Sequence, residues 1–349
     1  LWRRMRSMSK WYENDKCSDG IIISSRVRLA RNLKKYNFHN KLSNADAERM
    51  INEVKDSITG SRTVFGEQFK YIAINSLNEN EKFALVEKHV ISPELMKSSK
   101  PCGVLVKDDE TISIMLNEED HIRIQAISAG DDLDTAFDLA DKIDNLIEES
   151  VEYAFSEKYG YLTSCPTNVG TGLRASYMMH LPELERTGQI KNVMQAISKF
   201  GITVRGIYGE GSDAMGSIYQ VSNQVTLGQS EADIINNLKK VAAIIVQREE
   251  ELRKRAFSMS KEDIEDKVWR AYGILKYSRK ISGNEAMQLI SLLMEGRNMG
   301  VSGLPKCSVG LAELMINIQP ATIQVSGGCD LTPAERDKKR ADYLRMVFE

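Results

Sequence analysis

Five separated segments of this 349-residue chain concentrate arginine, acidic residues and glycine. They are Ser24-Ser25-Arg26-Val27-Arg28, Asn117-Glu118-Glu119-Asp120-His121-Ile122-Arg123, Cys165-Pro166-Thr167-Asn168-Val169-Gly170-Thr171-Gly172-Leu173-Arg174-Ala175, Val204-Arg205-Gly206-Ile207-Tyr208-Gly209-Glu210 and Arg336-Asp337-Lys338-Lys339-Arg340-Ala341. The first four offer one prospective site five arginines and two carboxylates, Glu119 and Glu210. Forked guanidinium groups match phosphate oxygens, and carboxylates match a cation. A site built from both points to phosphoryl transfer onto a guanidinium.

Each segment also has a plainer reading. In an extended strand Ser24, Arg26 and Arg28 share a face, about 7 Å apart. Two arginines on one face repel unless an anion lies between them; otherwise this is a solvated edge. Glu119, His121 and Arg123 share a face if their segment is extended, which leaves Glu118 and Asp120 pointing the other way into solvent. A carboxylate beside an arginine is most often an ordinary ion pair. Residues 170–175 fit G-x-G-x-x-A only superficially: no clean strand precedes them, no acid lies about 20 positions on, and no GK[ST] follows. The loop amides, backed by Arg174, suit phosphate. Cys165 is either a packed thiol or, beside that loop, a thiolate. Glycines 206, 209, 211 and 216 would make residues 206–217 a lid that carries Arg205 and Glu210 inward, or a surface hairpin loop. Arg336, Asp337 and Arg340 fall at i, i+1 and i+4 of a capped helix. They project either as a solvated ion-pair face or as a fork for a phosphorylated guanidinium.

The elements that must position these groups are legible in outline. Ile21-Ile22-Ile23 leads a strand into the first arginines. Strands at 104–106 and 111–116 flank an acidic turn and form a hairpin. Residues 121–127 alternate as a strand, and 201–208 form another. Helices are expected over 46–58, 131–155 and 231–255, the last opened by Ser230 and Asp233. Strands neighbour strands without strict βαβ alternation, so the fold class is α+β: an antiparallel sheet flanked by helices. Beyond 258 the β pattern fades. Ile264, Val268, Ala271 and Leu275 form one stripe, Ser282 with Glu285 forms a capping box, and Thr332, Pro333 and Glu335 form another. The expected organisation is an N-terminal segment (1–20), a catalytic domain (21–256) and a small helical domain (258–349).

Composition narrows the class. Hydrophobic content of 42% and charged content of 28% are ordinary for a globular chain. A net charge of −2 argues against non-specific nucleic-acid binding. No apolar run spans a bilayer, and residues 1–10 lack the apolar core of a secretion signal. Five cysteines without a CxxC pair read as reduced thiols of a cytoplasmic protein, and four scattered histidines make a zinc site improbable.

In order and spacing the first four segments, SSRVR, NEEDHIR, CPTNVGTGLRA and RG-x-x-GE, resemble the phosphagen (guanidino) kinase family. The resemblance implies a saddle-shaped antiparallel sheet. It also implies an ATP site at Ser24, Ser25, Arg26, Val27, Arg28, His89, Arg123, Arg174, Ala175, Ser176, Tyr177, Met178, Arg205, Gly206, Ile207, Tyr208, Gly209 and Glu210, with Mg²⁺ as cofactor. Glu119 aligns with the catalytic carboxylate, Glu210 with the second carboxylate and Cys165 with the reactive cysteine; Arg123, Arg174 and Arg205 would stabilise the transferring phosphoryl group. Two departures from the metabolic members stand out. A helical domain of about a hundred residues precedes SSRVR in those members, and here SSRVR begins at residue 24. A C-terminal helical region carrying RDKKRA is present instead. Both look like the bacterial branch of the family, which phosphorylates arginine side chains in proteins. There Arg336, Asp337, Arg340 and Ala341 would bind phosphoarginine. That likeness further implies protein substrates, a stress-response role marking proteins for the Clp protease, an activator and at least a dimer. A kinase for a small free guanidine and a phosphoarginine-binding adaptor are the competing readings.

Overall fold

The structure is a computed structural model describing residues 9–14, 20–60, 66–206, 215–305, 307–328 and 330–349. Ile207, Tyr208, Gly209 and Glu210 lie outside the described residues, with most of the expected lid. The strands are β1 Ile22–Arg31, β2 Phe69–Ala73, β3 Gly103–Lys107, β4 Ile112–Leu116, β5 Ile122–Ala129, β6 Phe155–Ser156, β7 Gly160–Tyr161, β8 Leu173–His180, β9 Ile202–Gly206 and β10 Ile218–Asn223. The helices before residue 260 are α1 Asn44–Thr59, α2 Glu79–Glu87, α3 Pro93–Lys97, α4 Leu133–Glu148, α5 Pro182–Arg186, α6 Ile190–Ser198 and α7 Glu231–Met259. Five more follow: α8 Lys261–Tyr277, α9 Gly283–Asn298, α10 Leu311–Asn317, α11 Pro320–Gly327 and α12 Pro333–Val347.

Eight strands form one sheet in the order β2-β3-β4-β5-β1-β8-β10-β9, antiparallel throughout. The α+β expectation therefore holds. β1 lies near the centre, paired with β5 on one side and β8 on the other. Side chains alternate across a strand, so β1 splits into two sets. Val27 and Leu29 enter a core with Ala126, Ala175, Tyr177 and Val221, covered by α1, α4 and α7. Arg26 and Arg28 face the other way, into a cleft.

Local signals set most boundaries. Ser43 accepts from the Asp46 amide to start α1. Ser230 and Asp233 cap α7 reciprocally, and Thr332 and Glu335 do the same for α12 with Pro333 at the first position. Only half of the expected box forms at α9, where Ser282 accepts from the Glu285 amide. α4 ends at Glu148, short of the expected 155. There the backbone changes partners: Lys34 N bonds Glu152 O, and Ala154 N bonds Asn32 O. Tyr153 is drawn into the core, where its hydroxyl donates to Asp144 O. Pairing across the chain supplies what continued helix would have supplied, with an aromatic side chain buried as well.

The C-terminal helices gather around a second core containing Val268, Leu275, Met287, Ile290, Leu311, Leu314, Ala341 and Leu344. Trp11, Ile23, Ile127 and Ile218 join it, so this core is continuous with one end of the sheet. Among the described residues no helix is long and apolar enough to cross a membrane.

Candidate active site

The sheet register assembles the arginines. Arg28 lies directly opposite Arg174 on β8 and opposite Gln125 on β5. Arg26 pairs with Ser176, Arg123 with Ala30, and Arg205 with Gln220. Paired residues share a face, so all five arginines line one cleft of about 1080 Å³ with His89, Ser92, Glu118, Glu119, Gln125 and Gln220. Ser25, Val27, Ala175 and Tyr177 point to the opposite face. Any part they take in the cleft is through backbone.

Like charges directly opposed across strands destabilise a sheet. Two unit charges about 6 Å apart repel by about 3 kcal/mol at an effective dielectric near 20. The cleft holds several such pairs. Burial and the charge of Arg123 lower the Arg26 guanidinium to about 10. Arg28 lies well below its ordinary value, through burial and then the charges of Arg26, Arg123 and Arg174. Arg174 is lowered by burial and by Arg123 and Arg205. Protein partners neutralise little of this. Arg26 donates to Gln220 Oε1 at 2.7 Å, a neutral acceptor. The Nε atoms of Arg28 and Arg174 are buried with no hydrogen-bond partner. Buried donors of positive charge without acceptors fit a polyanion with many oxygens.

Arg123 differs from Arg26, Arg28 and Arg174. Its Nη1 donates to Glu118 Oε2 at 2.6 Å. Burial lowers its affinity for the proton, and Glu118 more than compensates. Glu118 is buried, and Ser92 also donates to it. Asp120 is buried too. Its Oδ1 accepts from Asn32 Nδ2 and the Ser164 amide, each at 2.7 Å. The expectation that both point into solvent is therefore corrected. The strand period does not extend this far: residues 117–121 form a bend, and β5 begins only at Ile122. Asn117 takes φ 61°, and its amide bonds His121 O, which breaks the strand periodicity assumed for this stretch. His121 consequently leaves the cleft. It is fully buried, accepts from Leu33 N at 3.1 Å, and has Tyr36 and Phe38 edge-on to its ring. Glu119 alone of these carboxylates is exposed, lines the cleft, and carries no hydrogen bond or ion pair among the described residues.

The Gly-rich loop also differs from expectation. The Gly170 amide bonds Tyr161 O, and the Thr171 amide bonds Thr226 O, so neither is offered to phosphate. Its glycines serve close approach. Gly172 has φ 64°, and a Cβ there would lie 2.6 Å from Ala30 O; at Gly170, φ 114°, it would lie 2.3 Å from Thr226 O. This seats the start of β8 and aims Arg174. Cys165 sits beside Ser164 of the cleft, with its Sγ 3.0 Å from Thr167 Oγ1 and close enough to Arg174 to feel its charge.

His89 has φ 60°, an uncommon left-handed conformation. Its ring lines the cleft beside Arg26, and burial together with that charge depresses its pKa to about 3. Residue-type reasoning missed Glu118, Ser92, Asn32, Gln125 and Gln220.

In the C-terminal region Arg340 turns inward instead of projecting. It is 2% exposed. Nε donates to Ile318 O at 2.8 Å, and Nη1 donates to Ile281 O at 2.9 Å and Asp337 Oδ1 at 2.6 Å. Ala341 is buried as well. Arg336 and Asp337 remain partly exposed, and Arg336 donates to Leu331 O.

An arginine-lined cleft on an eight-stranded antiparallel sheet, with the exposed carboxylate of Glu119 at its edge, defines a phosphotransferase of a particular class. The ATP:guanido phosphotransferase C-terminal catalytic domain matches residues 49–252, and the protein-arginine kinase McsB C-terminal domain matches residues 261–349. The chain belongs to the ATP:guanido phosphotransferase family. It is 48% identical over 324 residues to the protein-arginine kinase of Caldanaerobacter subterraneus, covering 93% of this chain and 96% of that one. The corresponding protein of Pelotomaculum thermopropionicum is 46% identical over 344 residues, covering 97% and 96%. Lombricine kinase shares the fold at 20% identity, with a TM-score of 0.59 over 75% of each chain. The duplicated taurocyamine kinase of Schistosoma mansoni gives 24% and 0.59 over 66% of this chain and 33% of that longer one.

Proposed function

We propose that this chain is an ATP-dependent kinase that phosphorylates arginine side chains in proteins. The carrying observation is that Arg26, Arg28 and Arg174, none with a carboxylate partner among the described residues, share one cleft with Glu119, an exposed carboxylate that carries no hydrogen bond or ion pair there. Arg26 and Arg28 would clamp the non-transferring phosphates, while Arg123, Arg174 and Arg205 would face the γ-phosphoryl group. A guanidinium is protonated at neutral pH and is a poor nucleophile. Glu119 would hold one edge of it and accept its proton as the N–P bond forms and the bond from phosphorus to the ADP oxygen breaks. Glu118 acts at one remove by fixing Arg123. Glu210, outside the described residues, is proposed as the second carboxylate. Among the described residues no cluster of three or more His, Cys, Asp or Glu side chains could hold a metal ion, so Mg²⁺ would enter on the phosphate oxygens of the nucleotide and neutralise part of their charge when bound.

The protein substrate rests on the names of the relatives and on the C-terminal region they share. A phosphoarginine site at Arg336 and Asp337, with Arg340 bracing them, belongs to the same proposal, as do a homodimer or larger assembly, an activator, a cytoplasmic location and a role in marking proteins for Clp proteolysis. The test is mass spectrometry at neutral pH, after incubation of a protein mixture or free arginine with Mg-ATP. Phosphoarginine on protein and little on the free amino acid is expected. The Glu119→Gln variant should lose roughly 10²–10⁴ in rate while still binding ATP. Wild-type turnover by that variant would remove Glu119 from the mechanism. Exclusive labelling of free arginine would replace the protein-kinase reading with the metabolic one.

A further inference from the structure

α2 ends at Glu87, a carboxylate that caps a distant helix. Its Oε1 accepts from the Ala321 amide at 2.8 Å; its Oε2 accepts from the Thr322 amide at 2.7 Å and from Thr322 Oγ1 at 2.8 Å. These donors belong to the first turn of α11, where backbone N–H groups lack partners within the helix. The residue preceding that helix, Gln319, makes no side-chain cap. Glu87 therefore supplies the missing cap from the catalytic part of the chain, and its charge suits a helix N-terminus. Burial raises Glu87 above the ordinary carboxylate range, and the three donors and the charge of Arg340 oppose that rise.

The other side of the same junction is held by α12. Arg340 Nε bonds Ile318 O, just before the start of α11. Two residues beyond Glu87 stands His89, in its left-handed turn. Its carbonyl accepts from Gln125 Nε2 at 2.6 Å and its amide bonds Val86 O. A left-handed histidine is a strained conformation that persists only where its surroundings hold it. Glu87 and His89 also line one small cavity with Met287, Met315 and Gln319 of the C-terminal helices.

We propose that Glu87 is a positioning residue that couples the seating of α11, and through Ile318 the Arg340 helix, to nucleotide binding, by fixing the turn that presents His89 beside Arg26. The coupling rests on the arginine cleft being the nucleotide site. Linkage requires it to act in both directions: a seated α11 favours nucleotide, and nucleotide favours a seated α11.

The experiment uses the full chain. Glu87→Ala should raise the KM for ATP and the Kd for Mg-ADP about 10-fold, with kcat at saturating ATP within about twofold. Glu87→Gln keeps one acceptor and should recover part of that loss. In wild type, Mg-ADP should slow hydrogen exchange of the α11 amides, and in Glu87→Ala that protection should vanish. Thr322→Val, which removes one of the three bonds, should give a smaller shift of the same sign and serves if Glu87→Ala does not fold. A well-folded Glu87→Ala with wild-type KM for ATP overturns the proposal, as does α11 exchange in wild type that ignores Mg-ADP. Failure of wild type to bind Mg-ADP at all would instead strike the cleft assignment itself.

Discussion

Glu118 and Glu119 are adjacent in sequence and opposite in environment. Glu118 is buried and engaged by Arg123 and Ser92, whereas Glu119 is exposed at the cleft and engaged by nothing described. A carboxylate already paired is a poor acceptor for an incoming guanidinium, and an unpaired one is available. This difference separates a residue that positions an arginine from one that can meet substrate. Cys165 belongs at the same scale. It lies within the field of Arg174, and a thiolate there would aid the guanidinium by charge alone. Cys165→Ser should therefore lower kcat without abolishing it, and thiol alkylation should inhibit the wild type. Steady-state rates with and without iodoacetamide check this. A phosphocysteine trapped on the catalytic path would overturn it.

Among the elements, α12 shows how a helix can read one way in sequence and pack another. Its arginines fall at i and i+4, yet Arg336 stays partly outside while Arg340 inserts between the residues leading into α9 and α11. Arg340→Ala would leave the Ile318 and Ile281 carbonyls without that donor in a buried setting. The expected loss is roughly 2–5 kcal/mol of stability, against under about 1 kcal/mol for Arg336→Ala. Denaturant midpoints of the two variants test this. Equal, small losses would mean that Arg340 braces nothing. Weakened phosphoarginine binding by Arg340→Ala thus needs a stability control before it is read as lost contact with ligand.

For the whole molecule, the joint between sheet and C-terminal helices is an unusual concentration of buried charge. Arg186 bridges Glu183 and Glu295, Glu249 accepts from Arg253 and from the amides of Glu183 and Leu184, and His180 meets Ser291 at 2.8 Å. Burial, with Glu295 and Glu249 nearby, raises Glu183 well above the ordinary carboxylate range even though Arg186 opposes it. A carboxyl with a raised folded pKa binds its proton more tightly folded than unfolded. Its contribution to stability is thus present in mild acid and is lost as pH rises from the unfolded glutamate value to the folded one. Glu183→Gln should raise Tm at pH 8 by on the order of 2 °C, with the gain shrinking toward pH 5. Calorimetry across that range decides, and a pH-independent gain would place the effect elsewhere.

Much of this was legible in the chain itself. Period-2 spacing put Arg26 and Arg28 on one face, and Ser230-Asp233 and Thr332-Glu335 marked helix starts, because those signals act over a few residues of backbone. The bend at 117–121 was not legible. Its strand-like alternation is overridden by Asn32, which accepts from the His121 amide and donates to Asp120 from 88 residues away. Nor could composition show that Arg28 and Arg174 stand opposed, that Arg340 faces inward, or that Glu87 caps a helix 234 residues further on. Sequence determined which groups could bind phosphate and guanidinium and which segments fold locally. Tertiary structure decided which of them meet, because strand register and helix docking are set by burial of distant surfaces and by backbone donors that find partners only in the folded chain.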